Sequence, residues 1–178
     1  LANLGYLSLE GVRGLSDIST LSSLKSLRDF RLSRSLVSDI SALKSLKGLT
    51  FLYIYRNQIS DITPLVENTG ISGAINLKGN PLSNTAYASH IPTLKARGIT
   101  VEYDEPPTGT VTFKDANLEK AIRDALGIPT ELLKKEDLAK LKELRYEGKE
   151  GARISDLTGI QDCINLSQLT LSGNQIND

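Results

Sequence analysis

Phe51, Tyr53 and Tyr55 alternate along one short stretch of the chain, and Arg31, Arg34 and Arg56 lie beside them or one interval away. Tyrosine and arginine are the residue types enriched where proteins grip partners, so this pattern points to recognition chemistry. The side chains that could carry reaction chemistry are sparser. His90 is the only histidine; it stands two residues before Pro92, with no cysteine partner and no acid at helical spacing. A structural role is expected for it. Cys163 is the single cysteine, which excludes an internal disulfide and any multi-cysteine metal site. Asp17, Asp39, Asp61, Asp156 and Asp178 form a periodic column. A column of carboxylates could suggest calcium, but Ca²⁺ takes about six to eight oxygens, and neighbouring Asp-x-Asp ligands are missing. Turn capping is the expected role. Gly148-Lys-Glu-Gly151 has the wrong spacing for a phosphate-binding loop and reads as an insertion loop. Asn165-Leu-Ser167 is a formal glycosylation triplet set inside a repeat. No catalytic residue, metal or cofactor is expected, and the chain reads as a non-enzyme.

The elements that position the aromatic cluster are repeats. Leu43, Leu46, Leu49, Leu52, Ile54, Asn57, Ile59, Ile62 and Leu65 follow neither a helical nor a strand period for long. They describe one short strand, a turn and an irregular return, which is the pattern of a leucine-rich repeat. Leu52 and Ile54 are expected to point inward, and a buried Asn57 to bond the backbone of the turn that follows. The place of Asn57 is taken by Val12, Ser35 and Asn80 at intervals of 23, 22 and 23 residues. Asp17-Ile18, Asp39-Ile40 and Asp61-Ile62 share another place, and Leu21, Leu43 and Leu65 a third. A further copy runs through Leu166, Leu169, Leu171, Asn174 and Ile176, with a looser one before it from Leu141 to Leu157. Cys163 stands where Leu24 and Leu46 stand, so a small buried core residue is expected there.

Between the copies the style changes. The repeat loosens at Asn68-Thr-Gly70 and Ser72-Gly73 and stops after Asn80-Pro81-Leu82. Tyr87, Ile91 and Leu94 have helical spacing, interrupted or restarted at Pro92. Gly98 is a plausible helix end, and Ile99, Val101 and Tyr103 alternate like a strand. A helix and a strand here are expected to close residues 1–103 as the end of one array. Residues 104–110, polar with a Pro pair and a Gly, read as a linker. Asp115 caps an expected helix whose apolar face is Leu118, Ala121, Ile122, Ala125 and Leu126 and whose stop is Gly127. A second short helix is expected over 136–144. Residues 111–178 then read as the helical start and first coils of a second array.

The 22-residue spacing with Asn-x-Ile-x-Asp-Ile resembles bacterial internalin-like leucine-rich repeats. The stretch from Phe113 to Leu126, followed by Asp156-Leu-Thr-Gly-Ile160, is similar to the helical start cap of many bacterial surface repeat proteins. Asn80-Pro-Leu82 through Gly98-Ile-Thr-Val101 is similar to their closing segment. Val12 and Ser35 depart from the ladder Asn, and the order of arrays is reversed, an end preceding a start. The resemblance implies an α/β fold, a parallel solenoid with helical caps, on a surface or secreted bacterial protein larger than this chain. It does not imply a partner, since one scaffold hosts many.

Within such repeats the residues between the inward strand positions face the concave side. At the central place these are Ser8, Arg31, Tyr53, Asn76, Arg145 and Thr170; flanking places add Tyr6, Asp29, Arg34, Phe51, Tyr55 and Arg56. The expected contact set is Tyr6, Asp29, Arg31, Arg34, Phe51, Tyr53, Tyr55, Arg56 and Asn76. The expected partner is a protein, with a glycan as the second ligand class. A stalk or spacer without a ligand, and an intracellular regulatory repeat protein, are the alternative readings. Formal net charge is zero, but residues 1–103 carry 11 Lys and Arg against 7 Asp and Glu, a balance of +4, and residues 104–178 carry 10 against 14, a balance of −4. Neither density suits nucleic acid. No apolar run is long enough to insert in a membrane. Leu1 opens inside a repeat and Asp178 falls inside another. Strand 166–171 of one chain is therefore expected to stack beside strand 4–9 of a second, head to tail.

Overall fold

The computed structural model describes residues 3–129 and 132–177. Seven three-residue strands occur among them: β1 (Tyr6–Ser8), β2 (Asp29–Arg31), β3 (Phe51–Tyr53), β4 (Ala74–Asn76), β5 (Thr100–Glu102), β6 (Glu143–Arg145) and β7 (Gln168–Thr170). Strands β1 to β5 form one parallel sheet in chain order, and β6 and β7 a second parallel pair. The chain divides into two compact units, Leu1–Leu82 with His90–Glu105, and Ser83–Ser89 with Pro106–Asp178.

In the first unit the middle residue of each of the strands β2 to β5 points inward, and Phe30, Leu52, Ile75 and Val101 are buried. Their neighbours alternate outward, as the period-two geometry of a strand requires. Ile54 is also buried, as expected. Burying a leucine of this kind contributes about 2 kcal/mol. Strands β1 to β4 are each soon followed by a residue with left-handed backbone: Gly11, Arg34, Arg56 and Gly79, at φ of 75°, 56°, 54° and 70°.

The next residue is the ladder position. Asn57 does not bond the turn that follows it. Its Nδ2 reaches back to the carbonyls of Leu32 (3.0 Å), Ile54 (3.2 Å) and Tyr55 (3.2 Å). The turn amides of Asn57 and Ile59 donate instead to Oδ1 of Asn80 in the next repeat, both at 3.2 Å. An inward-pointing amide meets backbone from neighbouring repeats as readily as from its own, so this turn is served from the adjacent repeat. Where Ser35 replaces Asn, its Oγ still donates to the Val12 carbonyl at 2.9 Å.

The return path repeats as closely. Asp17, Asp39 and Asp61 each accept the amide two residues on, at 2.7, 2.7 and 2.8 Å. Buried Ile18, Ile40 and Ile62 follow. Then come 3-10 turns over Ser19–Ser23 and Ser41–Ser45, and α1 (Thr63–Glu67), where Pro64 in the first turn suits an α-helical start. The stretch expected to loosen does the reverse. Asn68 is fully buried and donates to the carbonyls of Leu43 (2.8 Å) and Leu46 (3.0 Å). A Cβ at Gly73, which has φ of +73°, would stand 2.2 Å from the Thr50 carbonyl oxygen. These small residues mark close backbone approach between repeats.

A π-helical turn over Ala86–His90 runs into α2 (Ile91–Ala96), with Pro92 in its first turn. Ile91 and Leu94 are buried, Gly98 ends the helix at φ of 80°, and Val101 sits inward on β5. Arg97 ties this segment to the third repeat through the carbonyls of Val66 (2.9 Å) and Asn68 (2.6 Å).

The second unit is built on α3 (Ala116–Leu126). Asp115 Oδ1 accepts the amides of Asn117 (2.8 Å) and Leu118 (3.0 Å), while its Oδ2 takes both the amide and the hydroxyl of Ser155 (2.8 and 2.9 Å). One carboxylate thus caps the helix and fixes it to the repeat that follows. Leu118, Ala121 and Ile122 pack with Phe113, Leu133, Leu138, Leu144, Ile154 and Cys163. The expected apolar face is corrected at one position: Ala125 is exposed, and Glu119 is buried in its stead. The second helix is also shorter than expected. It is α4 (Lys135–Leu138), because Leu144 is taken up as the inward residue of β6.

Residues 83–89, expected within the close of the first array, pack in this second unit. Asn84 is fully buried. Its Nδ2 donates to the carbonyls of Val111 and Leu133, and its Oδ1 accepts from the Leu133 amide (3.2 Å) and Arg123 Nη2 (2.9 Å). Arg123 also grips Glu119 Oε1 through Nε (2.9 Å) and Nη2 (2.7 Å), and Thr85 donates to the other Glu119 oxygen. Burying Glu119 is tolerable because its charge is paired and hydrogen-bonded.

Candidate functional site

Parallel register brings the expected contact residues into two rows on the exposed face of the first sheet. One row holds Tyr6, Asp29, Phe51, Ala74 and Thr100; the other holds Ser8, Arg31, Tyr53, Asn76 and Glu102. Arg31 is the centre. Its Nε and Nη2 donate to the two oxygens of Asp29 at 3.1 and 3.0 Å, a bidentate fork. Its guanidinium carbon lies 5.5 Å from the Tyr6 ring centroid and 5.2 Å from that of Tyr53, within cation–π range of both. The Asp29 hydrogen bond pushes the Arg31 pKa further above its ordinary value, so the group stays charged. The whole arrangement is held by alternation: the buried Phe30 between Asp29 and Arg31 forces both polar side chains to the same outer face.

Tyr6 is 53% exposed and Phe51 47% exposed, flanking the clamp in the row of Asp29. Tyr53 and Tyr55 are half-buried, and Arg34 and Arg56 are exposed at the turn after the strands. Asn76 is drawn off to other work. Its Nδ2 donates to Glu102 Oε2 at 2.9 Å and its Oδ1 accepts the Lys78 amide at 3.0 Å. Glu102, also 3.7 Å from Lys78 Nζ, is a residue of this face that sequence reasoning missed. The alternation of Thr100, Val101 and Glu102 carried the signal, since an inward Val101 turns Glu102 outward. The second unit repeats the acid–apolar–Arg order in β6, where Glu143 pairs with Arg145 on either side of buried Leu144.

The residues weighed for reaction chemistry lie elsewhere. Asp156 Oδ1 accepts the Thr158 amide at 2.7 Å, as its counterparts do in the first unit. Hydrogen bonds from the Thr158 hydroxyl and amide hold Asp156 below the usual carboxylate range, and those from the Ser19 amide and hydroxyl hold Asp17 there. Asp178 falls outside the described residues. Cys163 is buried with backbone angles (φ −81°, ψ 60°) close to those of Leu24 (−84°, 65°), and burial pushes its thiol up to about 11. His90 is half-buried at the end of the π turn. Among the described residues no group of three or more His, Cys, Asp or Glu side chains is placed to hold a metal ion, and no helix is long and apolar enough to cross a membrane.

No protein-family model and no curated protein matches the chain. Solved structures similar to it include internalin C2 of Listeria monocytogenes, at 28% identity over 58% of this chain and 43% of that one, with a TM-score of 0.49. Internalin F of the same organism is similar at 22% identity over 98% of this chain and 49% of its own, with a TM-score of 0.46. The functional domain of InlJ, also from Listeria monocytogenes and including a cysteine ladder, shows 14% identity over 99% and 41%, with a TM-score of 0.34. These neighbours are internalins, the family that the repeat motifs resemble. The chain spans less than half the length of each. All three TM-scores fall below 0.5, so the fold rests on the repeat geometry above and not on these neighbours.

Proposed function

We propose that the chain is a non-enzymatic recognition module, a leucine-rich-repeat solenoid with helical caps from a larger bacterial surface or secreted protein. It binds a protein partner through the concave side of β1 to β4, with a glycan as the second ligand class. The Arg31 clamp carries this reading. Arg31 is locked by Asp29 and stacked between Tyr6 and Tyr53, so a partner would lose little further side-chain entropy on meeting it. Tyr6 and Phe51 stand half-exposed beside it as apolar contacts.

The test compares Arg31→Glu and Tyr53→Ala with the parent in capture of a partner from host or neighbouring-cell surfaces. Each is expected to weaken capture by about 30-fold or more, the scale of a hot-spot residue, while circular dichroism stays that of the parent. Undiminished capture by both folded variants would favour the spacer reading. Head-to-tail pairing of strand 166–171 with strand 4–9 belongs to the same proposal. Sedimentation in dilute solution checks it, and a stable monomer at all concentrations counts against it.

A further inference from the structure

The exposed face of the first sheet is unevenly balanced in charge. Asp29 is held by Arg31, and Glu102 by Lys78 and Asn76. Arg34 and Arg56 are exposed, and no ion pair among the described residues involves either. They occupy the same place in adjacent repeats, joined through the run of Arg34 N to the Tyr55 carbonyl (3.4 Å) and Arg56 N to the Lys78 carbonyl (2.7 Å). The next amide in that run, Gly79 N, donates to the Asp104 carboxylate at 2.6 Å, so an acid of the chain itself ends the row.

Their backbone gives a second, independent observation. Both are left-handed, at φ of 56° and 54°, whereas the same place elsewhere holds Gly11, Gly79 and Gly173, at 75°, 70° and 72°. The turn itself favours glycine there. A long cation held twice in succession in a conformation it resists points to a use for the side chain itself.

We propose that Arg34 and Arg56 form a rim that receives an acidic polypeptide partner, two carboxylates falling about 5 Å apart across adjacent strands and each met by a guanidinium fork. Tyr6 and Phe51 on the same sheet accept apolar side chains, and a polypeptide supplies both chemistries. The inference rests on the recognition reading of this sheet and names the chemistry of its partner.

The experiment uses the full chain and a capped ten-residue peptide of Glu with two Phe, followed by fluorescence anisotropy at low and high salt. A Gln-for-Glu peptide is the control. The Glu peptide is expected to bind with an affinity that falls as salt rises, and the Gln peptide to bind at least tenfold more weakly. The double variant R34G/R56G is expected to lose about tenfold, and so is R34Q/R56Q, which removes the charges without adding glycine. Arg34→Gly alone is expected to melt at or above the parent temperature. Tyr53→Ala runs in parallel. Loss in the arginine variants with retention in Tyr53→Ala keeps the rim and removes the Arg31 clamp from the reading. Retention in the arginine variants overturns the rim alone. No binding of the Glu peptide, tighter binding of a heparin oligosaccharide, or a lowered melting temperature in Arg34→Gly also overturns it.

Discussion

Asn80 is the most heavily used side chain of the ladder. It donates to the carbonyls of Ile54 and Leu77 at 2.8 and 2.7 Å while its Oδ1 takes two turn amides. Asn57 makes the equivalent donations, but its buried Oδ1 meets no donor. The repeat it faces carries Ser35, which bonds to the Val12 carbonyl instead. Asn80→Ala should therefore cost about 3 kcal/mol, since the Leu77 carbonyl and the Asn57 and Ile59 amides lose their partner and the Ile54 carbonyl keeps only its bond from Asn57. Asn57→Ser, which copies the residue already present at 35, should cost less. Denaturant titration of both variants checks the order; equal costs would mean that the Oδ1 side of the ladder contributes nothing. The periodic asparagine is plain in the sequence. The direction of its bonds is not, because a side chain's partners depend on which repeats stack against it.

At the scale of elements, α3 shows what local signals can and cannot carry. Asp115, the apolar spacing from Leu118 to Ile122 and Gly127 mark the helix, and the structure starts and stops it there. Its apolar face was legible except at Ala125 and Glu119. Glu119 turns inward because Thr85, from a segment 34 residues away, and Arg123, one helical turn on, donate to its two oxygens, while Asn84 accepts from Arg123 across 39 residues and holds it in place. Asn84→Ala should leave the Leu133 amide and the Val111 carbonyl without the side chain that pairs them, and take one of two bonds from the Leu133 carbonyl and from Arg123 Nη2, at a cost of about 3 kcal/mol to the second unit. Hydrogen exchange should then quicken across α3 and leave β2 to β4 protected as before. Equal loss of protection in both units would contradict the placement of Asn84's bonds wholly within the second.

At the scale of the molecule, residues 83–89 alter the meaning of the linker. Limited proteolysis is expected to cut first within 104–110, where Glu105, Pro107, Thr108 and Gly109 are exposed. A single cut there should not release two free fragments. Residues 83–89 lie on the amino-terminal side of the cut yet belong to the second unit. The nicked chain is expected to elute as one species in native size exclusion and to separate in denaturant. Separation under native conditions would show that Asn84 and Thr85 do not hold the pieces together.

Periodicity alone determined the repeats, the parallel strands and the outward residues of each, because alternation and a fixed interval are local properties that survive in one dimension. It also placed Asp115 and Gly127 at the ends of α3. Tertiary structure decided the rest. It set Asn76 against Glu102, locked Arg31 onto Asp29 between two tyrosines, and moved residues 83–89 into the second unit. Each of these depends on side chains from distant repeats meeting within about 3 Å, or about 6 Å for a ring. That distance is created by stacking and packing, and no spacing along the chain encodes it.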